Sequence, residues 1–225
     1  MLDGANAGRW TLAGTVLAIL EQRPGLQKLL VATSRGERTA WNFTYVTGPV
    51  VVDDPVVLNV TSLELRLGSG GYDVVTVTPA IAALAGPQRG HIIKLRYTPE
   101  QIAVLAGEEP GGIAHDMLLG PLQSQVAPGM SVVALELHSQ LLPAVLAARS
   151  AGAERIAYIM TDDGALPAAL SEVVYQLRER NEIQGVITVG HAFGGDLEAV
   201  ALPSAYLMAA RYLRAQVSFV GMGPG

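Results

Sequence analysis

Residues 155–192 read RIAYIMTDDGALPAALSEVVYQLRERNEIQGVITVGHA, and the order of patterns inside this stretch decides the fold. It opens on a continuous apolar run, breaks at Thr161-Asp162-Asp163-Gly164, and then places Leu166, Leu170, Val173, Val174 and Leu177 on one stripe. Apolar positions three and four apart predict an amphipathic helix, here over 165–181, ending near Arg178, Glu179 and Arg180. A second apolar run, GVITVGHA at 185–192, follows. Strands without polar alternation are covered on both faces, as in a parallel sheet. The same grammar continues outward: SVVALELH at 131–138 precedes a predicted helix over 140–150, and a predicted helix over 203–214 precedes QVSFVGMG at 216–223. Strand and helix in alternation imply right-handed crossovers and a three-layer, Rossmann-like α/β domain over 131–225. Gly221-Met222-Gly223-Pro224-Gly225 stands where the next helix would begin, as in a fragment of a longer product, a frayed natural end being the alternative.

The first part of the chain has another grammar. Short β-rich runs, TVLAILEQ, LQKLLVAT, TAWNFTYV, PVVLNVT and YDVVTVT, are separated by RPG, SRG, TGP, DDP and GSGG. This predicts a small antiparallel β-barrel or sandwich over 1–85, with a helical period only around TSLELRL. Residues 86–130 read as a linker. Gly86-Pro87 breaks the chain, and Thr98-Pro99-Glu100-Gln101 has Thr, Pro and Gln where a capping box places them, predicting a helix start. The stretch 109–130 is rich in Gly and Pro and reads as loop with one short helix.

Composition removes several classes. Half of the 225 residues are apolar and only 16% are charged, enough for a substantial core. A net charge of −5 argues against nucleic acid, which needs a concentrated basic stripe; only a local patch would override this. The chain has no cysteine, which excludes disulfides and thiolate metal sites. No run approaches a membrane span of about 20 apolar residues, although the mean hydropathy is +0.34. The N-terminus lacks the basic and apolar regions of a secretory signal, so the expected location is cytoplasmic.

Open parallel sheets bind ligands outside the carboxyl ends of their strands. The strands deliver His138-Ser139, Asp162-Asp163-Gly164, Gly190-His191 and then Gly194-Gly195-Asp196 to that edge. His138, His191 and Asp162 are the candidate acid/base residues; Ser139 and the aspartates also suit ordinary helix N-caps. Gly190, Gly194 and Gly195 would cradle an anion such as phosphate or carboxylate, with Asp196 beside them, the alternative being a turn that needs positive φ. Ala134, Glu136 and His138 share a strand face, so Glu136 is read either as an orienting carboxylate or as an edge residue. His91, Lys94 and Arg96, with Arg89, form a basic segment that could clamp an anion or pair with surface acids. The cofactor is left open: G-x-x-x-G-G matches neither common nucleotide motif, while the terminal Gly221-x-Gly223-x-Gly225 comes closer to a dinucleotide turn. A two-histidine, one-carboxylate metal site lacks supporting spacing.

The blocks GHIIKLRYTP, ELHSQL, AYIMTDDGALP, VGHAFGGDLEAV and GMGPG, with weaker similarity in TGPV and LGSGGY, resemble those of an uncharacterised bacterial family, the domain of unknown function 3866. The resemblance implies no activity. The Asp-Asp-Gly after the second strand departs from the single Asp expected there, leaving the choice between Asp162 and Asp163 open.

These readings support an enzyme acting on a small anionic substrate, or a ligand-sensing module whose β half mediates assembly, homo-oligomers included. The expected partner is a small molecule, with no nucleic acid or membrane.

Overall fold

The computed structural model describes residues 8–67, 70–83, 90–120 and 129–225, and divides into two units, 1–85 and 86–225. Both halves adopt the architecture that their grammar predicts: a closed five-stranded barrel in the first unit and an all-parallel five-stranded sheet in the second.

The barrel strands are β1 (Thr11–Arg23), β2 (Leu26–Thr33), β3 (Gly36–Phe43), β4 (Pro55–Asn59) and β5 (Asp73–Val77), with short helices α1 (Thr44–Thr47) and α2 (Thr61–Glu64). Their order around the barrel is β1-β2-β3-β5-β4. β1 pairs antiparallel with both β2 and β4, and a parallel pairing of β3 with β5 closes the ring. Two register shifts in β1, at Val16/Ala18 and Ile19/Glu21, supply the curvature that closure needs. The interior is filled by Val16, Leu29, Val31, Ala40, Leu58 and Val75. A buried polar knot ties strand ends to loops: Asn42 Nδ2 donates to Gln27 Oε1 and to the Gly48 carbonyl, each at 2.9 Å. Gln27 in turn bonds both the Val50 N–H and its carbonyl, at 3.0 Å each.

In the second unit, a hairpin of β6 (Ile92–Lys94) and β7 (Ile102–Val104) is followed by α3 (His115–Leu119). The helix expected from Thr98 does not form. Residues 95–101 make the hairpin turn, with positive φ at Leu95 and Tyr97, and the Thr98 hydroxyl donates to the Leu95 carbonyl instead of capping. The β-branched pair Ile92 and Val104 faces across the ladder, and this pairing overrides the local helix signal.

The sheet comprises β8 (Ser131–Ala134), β9 (Ile156–Thr161), β10 (Gly185–Val189), β11 (Leu197–Ala199) and β12 (Val217–Met222), in the order β11-β10-β9-β12-β8. Its helices are α4 (Leu141–Ser150), α5 (Glu172–Glu179) and α6 (Leu202–Leu207), the last continuing into a π turn at Met208–Tyr212. The crossovers through α4 and α5 run one way along the sheet and the return through α6 runs the other, so right-handedness places them on opposite faces. The core divides accordingly. Ile156, Tyr158 and Met160 of β9 pack with Leu141 and Val145 of α4 and Val174 and Leu177 of α5. Ala157 and Ile159 of the same strand pack with Ala205 and Met208 on the other side.

Three expectations for this unit are corrected. The helix after β9 is shorter than 165–181, because Ala165 N–H donates to the Pro224 carbonyl and Ala168 N–H to that of Phe193, and only a single 3-10 turn at Ala168–Leu170 precedes Ser171, which caps α5. β8 is an edge strand with all four residues exposed, including Val132 and Val133, so its apolar run does not signal cover on both faces. The strand also stops at Ala134. Glu136 is exposed in the turn beyond it, where its N–H donates to Gln140 Oε1, and it does not orient His138.

Candidate functional site at the carboxyl edge of the sheet

The carboxyl edge is shaped by how each strand ends. β10 and β11 are parallel neighbours joined by only residues 190–196, much less than the dozen or more that a helical crossover takes. The chain reverses along the strand, and the glycines make that possible: Gly190 and Gly194 have φ of +66° and +82°. A Cβ on Gly190 would collide with the Asp162 carboxylate, whose Oδ2 accepts the His191 N–H at 2.8 Å. That bond stitches the end of β9 to the end of β10, with Asp162 exposed and His191 half-buried at the rim.

The reversal also changes the reading of the glycine turn. Gly194 N–H donates to Glu198 Oε1 at 2.8 Å and Gly195 N–H to Thr188 Oγ1 at 3.2 Å, so side chains of the protein take the groups expected to cradle an anion. Asp196 is carried back to the amino end of β10, where Oδ2 accepts the Val186 N–H at 2.8 Å and Oδ1 pairs with Arg178. It does not share the edge with His191.

Beneath the turn lies Lys94, fully buried. Its Nζ contacts Glu198 Oε2 at 3.0 Å and the carbonyls of Ala192 at 2.8 Å, Ala199 at 3.3 Å and Thr188 at 3.4 Å. Arg96, in contrast, is exposed in the hairpin turn, and His91, also exposed, bonds the buried Glu109 at 2.6 Å. Lys94 and Arg96 therefore present no common open face, since β6 ends at Lys94. Arg89 lies outside the described residues.

His138 is positioned by the exit of β8, with Ser139 exposed beside it in the 138–140 turn. Its Nε2 is 2.7 Å from Ser171 Oγ, and its Nδ1 is 3.1 Å from the Met222 carbonyl and 3.2 Å from Tyr158 Oη. Because the Met222 carbonyl can only accept, the ring carries its hydrogen on Nδ1, and Nε2 accepts from the Ser171 hydroxyl, whose oxygen also accepts the Val174 N–H. Burial pushes the imidazole below its ordinary pKa of 6.5, opposed by the hydrogen bond to Met222. Burial likewise pushes the Tyr158 phenol well above its usual range. Ser171 is only 1% exposed, which closes this serine–histidine contact to a substrate.

Two features of the edge lie outside the sequence reading. Tyr158, read as an apolar strand residue, sends its hydroxyl to the Met222 carbonyl at 2.6 Å. Glu108 accepts the Val200 and Ala201 N–H groups beyond β11, at 2.9 and 3.2 Å. Its spacing carries no signal, since the link depends on residues 105–107 lying beside β11 through the Ala106–Glu198 bridge. Among the described residues, no group of three or more His, Asp or Glu side chains stands close enough to hold a metal ion, so the two-histidine, one-carboxylate arrangement is not assembled.

The structure is thus a mixed α/β protein combining a closed β-barrel with a parallel sheet flanked by helices. The chain matches the family described as protein of unknown function (DUF3866) over residues 39–225, and belongs to it. No relative among curated proteins matches the chain. No helix among the described residues is long and apolar enough to cross a membrane.

Proposed function

We propose that the sheet unit binds a small polar molecule at the carboxyl ends of β9 and β10, with Asp162 and His191 contacting the ligand and His138 as a positioning residue. The observation that carries this reading is the bond between Asp162 and the His191 backbone. It fixes an exposed carboxylate beside a half-buried imidazole where open α/β sheets receive ligands. The charged groups at this rim, Asp162 and Asp163, are acceptors. The nearest buried cation, Lys94, is already matched to Glu198. A ligand offering hydroxyl or amino donors suits this rim better than the phosphate or carboxylate that the glycine spacing suggests. Binding rather than turnover is favoured because both ring nitrogens of His138 are engaged internally.

A thermal-shift screen of amines, polyols, phosphorylated metabolites and divalent metals on the full chain tests this. A ligand that raises Tm for the wild type, and much less for Asp162→Asn, supports the proposal. Stabilisation by phosphorylated compounds alone, or equal shifts in both proteins, overturns it.

A further inference from the structure

The parallel sheet ends differently on its two sides. Beyond β11, residues 105–107 lie alongside: Ala106 bridges Glu198, and Gly107 N–H donates to the Glu198 carbonyl at 2.8 Å. Beyond β8 no strand pairs among the described residues, and all four residues of β8 are exposed. Its bonds to β12 define which groups are left over. Ser131 N–H donates to the Gln216 carbonyl at 2.9 Å and Leu135 N–H to that of Val220 at 2.7 Å. By the period of two, Val132 and Ala134 turn their N–H and carbonyl groups outward.

Two features set this edge apart from a merely solvated one. Open edges are ordinarily guarded by a lysine, a proline or a bulge, and SVVA at 131–134 has none of these, its pairing with β12 running without a register shift. The uncharged surface, secondly, continues onto α4. Arg149 donates to the Asn181 and Glu182 carbonyls just past α5, so that flank of α4 faces α5. The opposite flank, toward β8, carries Ala144, Ala147 and Ala151 at helical spacing, the last two exposed. Between Ser131 and Ala148 the only titratable side chains are Glu136 and His138.

We infer that β8 is the pairing edge of a homodimer, in which it joins β8 of a second copy antiparallel about a two-fold axis normal to the sheet. The outward groups fix the register. Val133 faces its counterpart on the axis, and on either side Val132 exchanges both backbone bonds with the counterpart of Ala134. The same axis keeps the two α4 helices on one face of the joined sheet, alanine flank to alanine flank, where small side chains allow close approach. Charge is complementary across it. The exposed Glu136, beyond the carboxyl end of β8, comes over the amino end of the other copy, where the exposed Arg214 stands two residues before Gln216. Area selects a second copy over a lone peptide strand. A four-residue ladder falls short of the roughly 1,200 Å2 of a stable interface; a peptide adds nothing further, whereas a second copy adds its helix flank.

Sedimentation equilibrium of the full chain, from micromolar to submillimolar concentration, should show a reversible monomer–dimer equilibrium. Val133→Lys sets like charges against each other on the axis and should raise the dimer dissociation constant at least about tenfold, with unchanged circular dichroism. Because the chain has no cysteine, Val133→Cys gives a second measurement, which decides the matter if the lysine variant loses its fold. Directly opposed residues of a non-hydrogen-bonded pair stand about 4.5 Å apart at Cα, within disulfide reach. Mild oxidant should therefore link Val133→Cys chains into dimers much faster than Leu146→Cys chains, whose exposed site lies on the α5 side of α4. A wild type that stays monomeric throughout, an association that Val133→Lys leaves intact, or equal cross-linking at 133 and 146 each overturns the inference. The readout is independent of Asp162 and His191, so its failure leaves the ligand proposal standing.

Discussion

Lys94 Nζ stands 3.0 Å from Glu198 Oε2, with none of the lysine side chain and 13% of the glutamate side chain exposed. Breaking a buried pair from one side leaves an uncompensated charge. Lys94→Met should therefore lower unfolding free energy by about 3 kcal/mol in urea titration. Lys94→Met with Glu198→Gln should regain part of it, because Gln still accepts the Gly194 N–H. A single variant as stable as wild type would show that the pair contributes no net stability.

His138 should make stability fall as acid is added. Its folded pKa lies below the ordinary 6.5, so the unfolded chain binds more protons in the window just beneath 6.5. The contribution is fully present above that value and is lost as pH drops through the folded pKa. His138→Gln should show a shallower loss than wild type between neutral pH and pH values below 6.5 in parallel denaturation series. Coincident pH curves would contradict a buried neutral ring.

Asp162 separates charge from hydrogen bonding. Asp162→Asn retains an acceptor for the His191 N–H, whereas Asp162→Ala removes it at a cost of about 1 kcal/mol. Amide exchange at His191 should quicken in the alanine variant and stay near wild type in the asparagine variant. Equal exchange in all three would show that the bond does not hold the turn.

Gly164 and Gly223 interlock the ends of β9 and β12, since a Cβ on Gly164 would stand 2.5 Å from the Gly223 carbonyl oxygen. Gly164→Ala should destabilise by about 2 kcal/mol through overpacking, measured by calorimetry. Gly152→Ala, where nothing lies within 4 Å but φ is +92°, serves as a comparison carrying backbone strain alone.

The sequence exposed what depends on period and missed what depends on return. Five barrel strands and the main sheet strands are legible because each alternates or stays apolar over its own length. β11, only three residues long, has no such pattern and exists because Asp196 and Glu198 bond back to β10. The capping box at Thr98 is present as letters, but the hairpin claims those residues through pairings across the turn, Ile92 to Val104 and Lys94 to Ile102. At the candidate site, His138, Asp162 and His191 could be placed at one sheet edge from strand ends alone. The partner of His138 could not, because Ser171 looked like the interior of a longer helix. Asp196 was misplaced for the same reason as β11.

The barrel seam has a practical consequence for anyone trimming the chain. The family match begins at Thr39, midway along β3, while closure needs β1 to bridge β2 and β4. A recombinant piece cut at that boundary would keep β4 and half of β3 with their backbone amides and carbonyls facing water. Such open borders recruit neighbouring chains, so the shortened product should precipitate or pair with itself more readily than the whole one.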